Sequence, residues 1–165
     1  MNKKGIPNLI KEVLCDPNMK VTKEQVDVFE EIVKELRHAE FFILRALSHK
    51  DDIEYTAKAY ELPPKYIKYM RRKAIRHLRT PIRWLRLQNG WSQEEESNRL
   101  HFGETPISAC GFTTKTTNVL KKNHFEYIEE LREYVGKVPI RFTYIDGLGR
   151  IGMSEILAYF MDRDL

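Results

Sequence analysis

The chain has 165 residues, 28 Lys or Arg against 24 Asp or Glu, a formal net charge of +4 and two cysteines. That length suits one or two small domains, each just large enough to bury a core. No apolar run nears the roughly 20 residues that span a bilayer, residues 1–20 lack the apolar stretch and cleavage site of a signal peptide, and Cys15 and Cys110 show no metal or disulfide spacing. A cytoplasmic protein with reduced thiols is therefore expected.

The charge is unevenly spread. Residues 62–93 hold nine Lys or Arg and no Asp or Glu, and both flanks are net negative. Such a block is a solvated face or a face for a polyanion.

In chain order, residues 1–20 read as a tail or short helix, and 21–90 as a first domain. "TKEQVDVFEEIVKEL" (22–36) puts Val26, Phe29, Ile32, Val33 and Leu36 at helical spacing behind Thr22 as N-cap. A second apolar run follows at "FFILRALSH". A short helix at about 51–60 turns Ile53, Ala57 and Tyr60 inward, and a second starts near Pro63 and Pro64 and ends near Leu78. Its apolar stripe is Ile67, Met70, Ala74, Ile75 and Leu78, while Lys65, Lys68, Arg71, Arg72 and Arg76 fall largely elsewhere. Two short helices with a tight turn, the second basic, make a helix-turn-helix pattern. Helical character continues through "IRWLRLQ", with Trp84 packing the end of the basic helix, and stops at "NGWSQEEESN", where 91–100 reads as an acidic linker. From 101 to 165 short helices alternate with turns containing Gly and Thr. An all-α chain of two domains is expected.

The segment "GLGRIG" (147–152) matches a dinucleotide-binding glycine pattern, but only 13 residues follow it. No second strand or ribose-binding acid fits there, so the match is assigned to a hairpin between helices, whose amides face a phosphate oxygen. The five histidines form no metal-binding pair, and no nucleophile–base pair or phosphate-binding lysine loop is present. No metal, cofactor, small-molecule substrate or enzymatic activity is expected.

The stretch "FFILRALSHKDDIEYTAKAYELPPKYIKYMRRKAIRHLRTP" resembles region 4 of bacterial sigma factors over about residues 22–87, most specifically in "RRKAIRHLRTP". Pro64, Lys65, Lys68 and Tyr69 stand where that family commonly has Arg, Glu, Arg and Gln. The resemblance implies a helix in the major groove of promoter DNA, contacting it through Lys65, Lys68, Tyr69, Arg71, Arg72 and Arg76. Residues 104–162, with "TTNVLKK" and then "IDGLGRIGMSEIL", are similar to the C-terminal domain of the bacterial RNA polymerase alpha subunit, a helix-hairpin-helix fold. That likeness implies minor-groove contacts from Lys115, Asn118, Lys121, Gly149 and Arg150. Lys115 replaces the family's arginine, and Ile151 and Gly152 replace phosphate-contacting Lys and Ser. Together they imply a DNA-binding transcription regulator that recognises double-stranded promoter DNA and works with RNA polymerase. The alternative is a protein-interaction module that binds sigma, alpha or core polymerase and redirects or inhibits transcription. A third reading is a helix-hairpin-helix module of DNA repair.

Overall fold

A computed structural model describes residues 3–92, 105–138 and 142–163. The chain divides into two compact units, Met1–Asn98 and Arg99–Leu165. The described residues form nine α-helices, one short 3-10 turn and no strand, so the all-α expectation is met. No helix among them is long and apolar enough to cross a membrane. Of the expected linker at 91–100, only Trp91 and Ser92 lie within the described residues.

The first unit starts with α1 (Ile6–Val13), which carries Pro7 in its first turn and buries Ile6, Leu9, Ile10 and Val13 on one side. Spacing of three and four residues puts these side chains in one stripe. α1 packs on α2 (Lys23–Val33), α3 (His38–His49) and α5 (Pro64–Leu78). Residues 1–20 are therefore part of the first unit, whose core would otherwise be open where α1 lies.

Thr22 and Gln25 form a capping box at the start of α2, which satisfies two backbone donors that a bare helix end leaves unpaired. The helix stops at Val33, short of the expected Leu36. Gln25 also reaches across the unit. Its buried amide donates to the carbonyls of Leu87 and Gln88 at the end of α6 (Pro81–Asn89), where Gly90 takes a left-handed conformation. Trp84 on α6 is fully buried.

α4 (Ile53–Ala59) is capped by Asp52, whose carboxylate accepts from the Tyr55 amide at 3.0 Å. Ala57 is buried as expected, but Tyr60 is exposed and meets Phe42 edge-on, with ring centroids 5.2 Å apart. Tyr60 is the C-cap of α4, past its last helical residue. The turn to α5 is a Schellman motif: the Leu62 amide bonds the Ala57 carbonyl and the Glu61 amide bonds that of Lys58. Its left-handed position, usually glycine, holds Glu61 at φ 54°. α5 starts at Pro64 and buries Ile67, Met70, Ala74, Ile75 and Leu78, the stripe read from the sequence.

The second unit has a 3-10 turn (Ile107–Ala109), α7 (Thr114–Lys122), α8 (Ile128–Lys137) and α9 (Arg150–Arg163). Phe125 and Tyr134 pack with ring centroids 5.5 Å apart in a core that includes Ile107, Leu120, Leu131 and Ile156.

Glycine avoids the Cβ clash that a left-handed residue suffers. Replacing Glu61→Gly should therefore raise the unfolding free energy by about 0.5–1 kcal/mol, as measured by urea denaturation. No gain would mean that the Glu61 side chain contributes a compensating interaction.

Candidate functional site

α5 contains no acidic residue. With 3.6 residues per turn, positions 65, 68, 69, 72 and 76 share an arc of about 100°, opposite the buried stripe. The structure leaves Lys65, Lys68, Tyr69, Arg72 and Arg76 exposed, Tyr69 to 57 %. Lys65, Lys68 and Arg72 make no ion pair among the described residues. Five of the six residues expected to meet DNA in this unit thus lie on one acid-free face.

Arg71 is the sixth, and it turns elsewhere. Its side chain is only 15 % exposed and pairs with Asp51 at 2.9 Å and Glu12 at 2.5 Å. The Asp51 contact is two-pronged, with Nε at 3.1 Å from one oxygen and a terminal nitrogen on the other. Burial opposes the charge, yet the hydrogen bonds and attraction of Asp51 and Glu12 outweigh it and raise the guanidinium above its usual range.

Other cations of the basic block are also occupied. Arg86, buried, meets Glu31 at 2.6 Å and Glu35 at 2.9 Å, and Arg83 shares Glu35. His77 Nδ1 lies 2.8 Å from the buried Glu40 carboxylate, with Lys73 4.0 Å from its other oxygen. Arg79 donates to the carbonyls of Glu12 and Val13 at the end of α1. The block lacks acids in sequence, but α1, α2, α3, the α2–α3 turn and the α3–α4 turn supply them in space.

In the second unit Thr113 caps α7 by accepting from the Thr116 amide. Glu155 of α9 accepts from the Thr113 amide at 2.7 Å and from the hydroxyls of Thr113 and Thr116. These bonds, led by Thr116, hold its carboxyl below the usual carboxylate range. At the other end of α7, the buried Asn123 grips the backbone of Asp146, donating to its carbonyl at 2.9 Å and accepting from its amide at 3.1 Å.

Two glycines make this junction possible. Gly147 has φ 83°, and a Cβ at Gly152 would fall 2.6 Å from Leu148 and 3.3 Å from the Thr116 hydroxyl. Gly149, by contrast, has open space around it, and its carbonyl accepts the first bond of α9 from Met153. Lys115, Gly149 and Arg150 line one cleft with Thr113 and Thr116. Asn118 and Lys121 are exposed on α7 outside it, joined by Lys122, which the sequence reading did not single out. Asn123 was also passed over; its signal was an asparagine at a helix end.

Among the described residues no group of three His, Cys, Asp or Glu is placed to hold a metal ion. Comparison with protein-family models, curated proteins and solved structures finds no match.

Replacing Arg71→Ala leaves the mostly buried Asp51 carboxylate unpaired and should cost about 2 kcal/mol in urea denaturation, whereas Arg72→Ala should stay within about 0.5 kcal/mol. Equal effects would contradict the division of the two arginines. For Glu155 the native carboxyl titrates below its unfolded value. Its contribution is therefore present above pH of about 4.3 and is lost as pH falls through the folded pKa. The stability difference between the native chain and Glu155→Gln should shrink on acidification; a difference that does not vary with pH would refute this.

Proposed function

We propose that the chain is a promoter-binding transcription regulator that works with RNA polymerase. The observation that carries this reading is the acid-free exposed face of α5, with Lys65, Lys68, Tyr69, Arg72 and Arg76 on it. Five such residues on one face of a 15-residue helix fit a major groove about 12 Å wide. α4 and α5, joined by their tight turn, act as a helix-turn-helix like that of sigma region 4. Arg71 positions α5 and does not touch DNA.

The second unit acts as a helix-hairpin-helix domain that holds the flanking minor groove. Lys115, Asn118 and Lys121 of α7 face it, and Gly149 and Arg150 offer backbone and charge beside Lys115. Two modest binders on one chain gain effective concentration.

A second reading is favoured by α9, whose Ile151 and Met161 are 77 % and 68 % exposed. Large apolar side chains in water suit a protein partner, which would make the second unit a contact domain for polymerase.

The test is binding of the purified chain to promoter duplex across a salt series. Charge-driven binding predicts that log K falls linearly with log salt, by about 0.9 for each phosphate neutralised. The combined change Lys65→Glu, Lys68→Glu and Arg72→Glu should reduce duplex binding to the weak level of the second unit without altering the helical circular dichroism. Duplex binding of undiminished affinity after this change would exclude α5 as the reading helix. Retained binding of the variant to purified polymerase would identify a chain that touches both.

A further inference from the structure

We infer that α5 reads the keto bases, guanine and thymine, on the strand it faces, and disfavours cytosine and adenine there; the inference rests on the proposed duplex binding by this helix. A recognition helix meets base edges mainly through its N-terminal turns. Here those turns present Lys65, Lys68, Tyr69 and Arg72, all exposed. Lysine offers three donors and arginine five, and neither has an acceptor. Asp, Glu, Asn and Gln are missing from the whole of α5.

The major groove turns this inventory into a preference. Guanine shows two acceptors, N7 and O6, and thymine shows O4 beside a methyl group. Cytosine shows only a donor, its amino group, which a lysine or arginine cannot accept. Adenine shows one acceptor and one donor, so it is half matched. The Tyr69 ring, 57 % exposed, adds an apolar surface suited to the thymine methyl. The tyrosine hydroxyl is the one side-chain acceptor on this face.

Position within the fold keeps the inventory clean. The nearest carboxylates before α5 are Glu54, on α4, and Glu61, in the turn. Those that reach back to α5, Glu12, Asp51 and Glu40, bind Arg71, Lys73 and His77 at its packed sides. Lys65, Lys68 and Arg72 keep their donors for another partner.

The experiment is selection of random duplexes by the purified full chain at fixed low salt, repeated with Lys68→Gln, Lys65→Glu and Glu61→Gly. The native chain should enrich sites in which one strand carries adjacent G and T. Each correct guanine contact should favour its base by about tenfold to a hundredfold. Lys68→Gln should replace guanine by adenine at one position, because a glutamine amide matches N6 and N7. Lys65→Glu should admit cytosine at another, and Glu61→Gly should leave the preference unchanged. Enriched sites in which neither strand carries adjacent keto bases (such as GA, GC or TA steps), an unaltered preference in both lysine variants, or loss of the preference in Glu61→Gly would overturn the keto readout while duplex binding itself stands. Failure to retain any duplex would overturn the promoter-binding reading and this inference together.

Discussion

The guanidinium of Arg71 stands where three parts of the first unit meet. It joins Glu12 on α1 and Asp51 in the α3–α4 turn to α5. Asp51 directly precedes Asp52, the residue that caps α4. Arg71 thus ties the chain just before α4 to the middle of α5. A mostly buried charge is costly unless its hydrogen bonds are met, and here Asp51 meets two of them with the two-pronged geometry that arginine alone provides, while Glu12 takes the remaining terminal nitrogen. Lysine could supply the charge but not the fork. The other side of α5 is free to face outward because this side is fastened.

The same logic divides the basic block into two populations. Arg71, Lys73, Arg83 and Arg86 find acids on α1, α2, α3, the α2–α3 turn and the α3–α4 turn. Lys65, Lys68, Tyr69, Arg72 and Arg76 point out. The first set helps to hold the unit together, and the second concentrates positive potential on one helix face. A net charge spread evenly over the surface would steer a polyanion poorly, whereas charge gathered on one helix face attracts it to that face.

In the second unit the fastening is hydrogen-bonded and short-ranged. Asn123 ties the end of α7 to Asp146, and Glu155 ties its start to α9. The glycine turn sits between these anchors. Gly147 permits the bend and Gly152 the close approach to Thr116 and Leu148, while Gly149 is left without a packing role. The three glycines of one motif therefore do different things, and the motif as a string does not distinguish them.

What the sequence determined by itself was local. The stripe of Ile67, Met70, Ala74, Ile75 and Leu78, the start at Pro64 and the cap at Thr22 depend on residues three or four apart, so periodicity and capping rules reach them. Other features depend on residues far apart in sequence. Arg71 meets Asp51 across 20 positions and Arg86 meets Glu31 across 55. Nothing in the run of basic residues tells which of them turns inward. The docking of α1, the outward Tyr60 and the loss of Arg71 from the exposed face followed only once the helices packed. A side chain's neighbours are set by which helix face the core claims, and the core is assembled from the whole unit at once.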